Sequence, residues 1–131
     1  MALANVGGGY QIADGNTAEV SMTSRAPATA VATAYTLTAA DFASGIISAT
    51  SSGNYAITTP TGAQIDAILT NAKVGSSFDL SVTHGSATNV ITLTAGASGV
   101  TIVGLATVTG ITSGTWTFRK TAANTWSAYR I

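Results

Sequence analysis

The chain has 131 residues, five acids balanced by five bases, and no cysteine. It is long enough for one ordinary domain, and disulfide and thiolate chemistry are excluded. Ten charged residues amount to about a third of the usual share, and without a basic stripe the electrostatic term that drives nucleic-acid binding is missing.

Small residues stand in for charge: 24 Ala, 23 Thr, 13 Ser and 14 Gly. A lone monomer built this way has a surface of methyls and hydroxyls with weak colloidal protection, and burial of that surface in an assembly accounts for the composition. The most apolar region, residues 95–111, is broken by Gly96, Gly99, Gly104 and Gly110 and by several Thr, which argues for strands and turns against a membrane span.

Residues 1–34 read as an N-terminal arm and extended connector. The opening MALANVGGGY has no Lys or Arg ahead of its short apolar run, and Gly7 to Gly9 interrupts that run. It lacks the form of a secretory signal, so synthesis in a cytoplasm is expected. No helix signal or Lys-Ser/Thr pair follows these glycines, so they are no phosphate cradle. Asp14, Gly15 and Asn16 form a turn between Tyr10/Ile12 and Val20/Met22, a weak hairpin. Val6, Tyr10 and Ile12 are apolar side chains that a merely solvated tail does not need, and they are the candidate contacts to a neighbouring subunit. Three glycines in a row let the backbone lie close to another surface, and an extended segment can add to a sheet edge. From Ser24 to Ala34, Pro27 and the threonines resist a helix.

Residues 35–131 read as a β-sandwich domain. Tyr35 and Leu37 alternate with Thr36 and Thr38 as a short strand. Thr38 then caps a single helical turn, with Asp41 near the positive end of its dipole, before Gly45. Residues 46–50 and 55–59 flank the turn SSGN as an expected hairpin. Thr61 and Gln64 form a capping box after Pro60. Ile65, Ile68, Leu69 and Ala72 then make one apolar stripe, which predicts a helix over about 62–73 ended by Lys73 and Gly75. The period changes to two at Phe78, Leu80 and Val82, a half-buried strand running to His84. After GSATN come β segments at 90–94, 100–103 and 105–109. The final pair is the clearest hairpin: Trp116, Phe118 and Lys120 share one face, TAAN at 121–124 turns the chain, and Trp126, Ala128 and Arg130 return.

Thr-x-Thr pairs occur at Thr36/Thr38, Thr92/Thr94, Thr107/Thr109 and Thr115/Thr117, with irregular spacing. Without a fixed period a β-helix is not expected. The fold class is mostly β: an antiparallel β-sandwich or jelly-roll-like barrel with one short α-helix.

Catalytic chemistry is not legible. His84 is the only histidine, expected as a partly exposed strand-end residue, and Asp79 lies on the opposite face of the same strand. No carboxylate pair falls on one element, and no metal, cofactor or small-molecule substrate is implied, so an enzyme is not expected. Trp116, Phe118, Trp126 and Tyr129 could stack sugar rings but read first as core.

The series YTLTAADFASGIISAT, TTPTGAQIDAILTNAKVGSSFDLSVTH, ITLTAGASGVTIVG and TWTFRKTAANTWSAYRI resembles small Thr/Ala/Gly-rich virion proteins of tailed bacteriophages, closest in kind to head-decoration (cement) proteins. The resemblance covers residues 35–131, and its sharpest pieces are Pro60 with the helix, Val74 to Phe78, and Tyr129-Arg130-Ile131. It implies a β-sandwich or jelly-roll protomer that forms a homotrimer on the capsid exterior, made in the host cytoplasm and bridging major capsid protein subunits. Residues 1–34 lie outside the resemblance and no family contact transfers onto them; Val6, Tyr10 and Ile12 are expected to face trimer mates or the capsid on their apolar character alone. Similar modules occur in tail and fibre proteins, the alternative location. A secreted sugar- or ice-binding module, using the Thr-x-Thr pairs, is the alternative of another class.

Overall fold

The computed structural model describes residues 24–131. In chain order the elements are β1 (Thr29–Val31), β2 (Tyr35–Thr36), α1 (Ala39–Ser44), β3 (Ile46–Ala49), β4 (Tyr55–Thr58), α2 (Gly62–Ile68), β5 (Ser77–His84), β6 (Val90–Thr94), β7 (Val100–Val103), β8 (Thr107–Thr109), β9 (Ser113–Ala122) and β10 (Thr125–Arg130). A six-stranded sheet runs β1-β3-β5-β9-β10-β7 and a four-stranded sheet runs β2-β4-β6-β8. The mostly β, two-sheet, sandwich-like architecture is as expected. Between the sheets lie Ile47, Leu80, Val82, Trp116, Phe118 and Trp126 from one and Ile57, Ile91, Leu93 and Val108 from the other, all buried. Each such side chain contributes about 1.5–3 kcal/mol by leaving water.

The direction of the strands departs from the expected antiparallel sandwich. Among the described residues five ladders are parallel and three antiparallel. From β1 to β6 the chain alternates between the sheets, so β1, β3 and β5 stack in parallel in one while β2, β4 and β6 stack in parallel in the other. This is the winding of a two-sided β-helix over three turns. No period betrays it, because α1 lengthens one turn and α2 with its following loop lengthens the next. The hairpin expected at 46–59 is likewise not formed: β3 and β4 belong to different sheets, and Ser51 to Asn54 carry the chain across. A strand that returns to its own sheet only after visiting the other arrives in the same direction, and parallel pairing follows.

The winding ends where β9 and β10 enter. Their hairpin lies between β5 and β7, antiparallel to β5 and parallel to β7. It turns at Ala123-Asn124, with Asn124 at φ 54° and a register shift at Thr125/Trp126, a bulged turn that asparagine tolerates. Arg130 lies 4.8 Å from the centre of the Trp116 ring and donates to the carbonyls of Leu105 and Thr107. Gly114 makes room for it, since a Cβ there would stand 2.7 Å from the guanidinium carbon.

Helix α2 begins with the expected capping box: the Gln64 amide donates to Thr61 Oγ1, and the Thr61 amide donates to Gln64 Oε1. It ends at Ile68, short of the expected residue 73. The Lys73 amide donates to Ser76 Oγ, the Ala72 carbonyl accepts from Lys120 Nζ, and the Gly75 amide donates to the Lys120 carbonyl. Backbone groups that would have continued the helix are spent on the turn into β5. Gly75 does take the left-handed conformation, φ 94°, but as part of that turn.

Candidate functional site

An apolar groove of about 560 Å³ lies between α1, the end of α2 and the start of β5. Ala39, Phe42 and Ala43 form one wall, Ile68 to Ala72 the other, and Phe78 with Trp126 the floor. The floor is an aromatic cluster. Phe78 stacks on Phe118 at 5.0 Å and 10°, and meets Phe42 at 4.9 Å and Trp126 at 5.7 Å in tilted contacts. Such pairs add about 0.5–1.5 kcal/mol beyond the area they bury.

A carboxylate fastens each wall. Asp41 in α1 is 1 % exposed and accepts from Thr29 Oγ1 at 2.5 Å, Tyr35 Oη at 2.9 Å, the Thr38 amide at 2.6 Å and Thr38 Oγ1 at 3.1 Å. Burial pushes its acidity toward the neutral form, but the donors from Thr29, Thr38 and Tyr35 outweigh burial and hold it below the ordinary carboxylate value. Burial, and then the hydrogen bond to Asp41, raise Tyr35. On the opposite wall Asp66 of α2 pairs with Lys120 Nζ at 2.9 Å and accepts from the Asn124 amide and Trp126 Nε1, both at 2.8 Å. Lys120 is the main cause of its lowered value; partial burial opposes, and Asn124 and Trp126 assist.

No proton acceptor is poised beside a nucleophile in this groove. Phe42 and Phe78 bring apolar area, and both carboxylates are occupied in holding it. Among the described residues no group of three or more His, Cys, Asp or Glu could hold a metal, and no helix is long and apolar enough to cross a membrane.

Val6, Tyr10 and Ile12 lie outside the described residues. His84 is 3 % exposed, which corrects the expectation of a partly exposed position. It points inward, its Nδ1 accepts the Ser86 amide at 3.1 Å, and its Nε2 has no partner among the described residues. Asp79 is on the outer face, as the alternation required, and accepts from Thr117 Oγ1. Trp116, Phe118 and Trp126 are fully buried and Tyr129 is exposed, so the four do not form a sugar platform.

The outer faces of the sheets are the second feature. On the four-stranded sheet the outward positions are Thr36, Ala56, Thr58, Val90, Thr92, Thr94, Thr107 and Thr109, opposite in phase to buried Ile57, Ile91, Leu93 and Val108. Thr36, Thr58 and Thr94 stand in one cross-strand row, and Ala56, Thr92 and Thr107 in the next. Two of the Thr-x-Thr pairs therefore meet on one face, joined there by Thr36, while Thr38 leaves the pattern to precede α1. Leu105, Ile111 and Ile131 are also exposed, by 60 %, 66 % and 78 %. Ile111 has φ 53°, a left-handed conformation that is an outlier for a β-branched residue, and its amide donates to the Ser86 carbonyl.

No protein-family model matches the chain, and no curated protein or solved structure matches it either.

Proposed function

We propose that this chain is a virion structural protein of a tailed bacteriophage, a decoration protein that binds the head exterior as a homotrimer and bridges major capsid protein subunits. The observation that carries the reading is the outer face of the four-stranded sheet, where eight outward positions hold Thr, Ala and Val and no charge. A surface left to solvent normally mixes charges of both signs. Exposed Leu105, Ile111 and Ile131 add apolar contacts of the kind that neighbouring subunits cover. The sequence resemblance over residues 35–131 supplies the choice of a phage head over other assemblies. A protein that binds only the assembled lattice stabilises it by mass action and requires no catalytic group.

Immunogold labelling of purified phage particles with antibody to the chain is the test. Label on heads is expected. Label on tails or fibres supports the alternative location, and absence from particles overturns the virion reading. The gathered threonine rows favour one further reading, a sugar- or ice-binding face, because hydroxyls repeat about 4.8 Å across strands and about 6.7 Å along them. Ice-growth inhibition by the purified protein, lost in Thr92→Glu, would support that reading in place of the first.

A further inference from the structure

Where β5 stops, the loops at 51–54, 85–89 and 109–112 meet on Ser86. Its Oγ donates to the Ser51 carbonyl and accepts the Ser51 amide, both at 2.9 Å, and its carbonyl accepts the Ile111 amide at 2.9 Å. Asn89 Nδ2 donates to the same Ser51 carbonyl at 3.3 Å, and a Cβ on Gly110 would stand 2.4 Å from the Ala87 carbonyl oxygen. One further bond ties Ser86 to the strand: its amide donates to His84 Nδ1 at 3.1 Å. A ring nitrogen that accepts an amide carries no proton, so the ring proton sits on Nε2, which is buried without a partner among the described residues.

We propose that His84 is an acid-sensitive latch on this junction: a proton on Nδ1 displaces the Ser86 amide and frees the loops that carry Ser51 and Ile111. An imidazolium donates at both nitrogens, yet Nδ1 faces an amide N–H and Nε2 has no acceptor among the described residues. Strands β3, β4, β6 and β8 hold no Asp, Glu, Lys or Arg. From β4 comes Tyr55, whose hydroxyl donates to the Val31 and Thr50 carbonyls. From β10 comes Arg130, whose guanidinium donates to the Ser113 carbonyl, next to the Thr112 carbonyl that accepts the His84 amide. Asp79 lies on the outer face of β5, and Arg119 of β9 stands across from Ser77 at the other end of that strand. No negative charge among these faces the ring. Protons therefore favour the open junction, which is closed above the range of histidine proton uptake and released as pH falls through it. Ile111 supplies the strain that release relieves, because its φ of 53° is costly for a β-branched residue and persists only while the junction holds it. The inference is independent of the capsid reading.

Native-state hydrogen exchange of the full-length protein tests this at about pH 7.5 and about pH 5.5, which bracket histidine protonation and lie above carboxylate titration. Protection of the Ser51, Ser86 and Ile111 amides, corrected for the intrinsic rate at each pH, should fall about tenfold. The Trp126 amide, bonded to the Gly99 carbonyl at the opposite end of the sandwich, should keep its protection. The loss should follow protonation of the His84 ring, whose carbon signals are unambiguous in a chain with one histidine. It should vanish in His84→Asn, which keeps an acceptor near the Nδ1 position and does not titrate. Equal protection at both pH values would overturn the latch. So would a loss that departs from ring protonation, persists in His84→Asn or spreads equally to Trp126.

Discussion

Asp41 and Asp66 each secure one helix beside the same groove, yet they hold their charge by different means. Asp41 is sealed from water and takes neutral donors from Thr29, Tyr35 and Thr38, three residues that tie β1, β2 and the start of α1 to one point. Asp66 stands at a rim, its side chain 17 % exposed, with a cation as its main partner. Loss of Asp41 takes one buried acceptor from four donors at once, whereas loss of Asp66 frees the exposed Asn124 amide and the Lys120 ammonium and leaves the fully buried Trp126 indole N–H as the one donor sealed from water. The α1 wall is therefore held by a network centred on one buried acceptor, and the α2 wall by contacts that solvent can replace in part.

Substitution of these residues separates the two. Asp41→Ala should cost about 3 kcal/mol or more, because four donors lose one shared buried acceptor at once; urea unfolding of the full chain measures it. Both carboxylates have folded values below the ordinary one, so the stability they contribute is fully present above their unfolded value, about pH 4, and is lost as pH falls through the lower folded values. Asp41→Asn should flatten the acid limb of a plot of stability against pH, and an unchanged limb would show that Asp41 is not charged in the folded protein. Asp66→Ala should cost less, about 1–2 kcal/mol, and should alter the emission of Trp126, whose indole N–H it accepts.

Smaller still is the expected effect of Ile68→Asp, about 1 kcal/mol by thermal unfolding, since Ile68 is only half-buried on the groove wall and a carboxylate there reaches water. A loss as large as that of Asp41→Ala would mean that another segment covers the groove at Ile68. Thr58→Glu on the outer face of the four-stranded sheet should leave stability within about 0.5 kcal/mol but weaken association between copies, read by size-exclusion chromatography.

Local features were legible in the sequence wherever one element decides them. Thr61 with Gln64 located the start of α2, alternation in Phe78 to Val82 and Trp116 to Phe118 placed those side chains inward, and the terminal hairpin followed from its own turn. Pairing between distant strands was not legible, because alternation says which side chains turn inward and is silent on which strand lies alongside. Tyr35 and Ile57 are register partners across α1 and β3, and no residue between them announces it. The groove was hidden for the same reason: Phe42, Phe78 and Trp126 come from three separate elements. Of the Asp41 network, the short-range part was foreseeable from Thr38 and its three-residue spacing, while Thr29 and Tyr35 join through the fold. His84 was misplaced because the end of a strand in sequence is here still covered: His84 keeps the inward phase of Leu80 and Val82 and is buried with them.

The claim that the uncharged outer face of the four-stranded sheet is a contact surface is tested most directly by sedimentation velocity of the full-length protein at micromolar concentration. A species near three times the 13.0 kDa chain mass, shifted toward monomer by Thr58→Glu, is the expected result. A single 13.0 kDa monomer across that range, unaffected by the substitution, would contradict it.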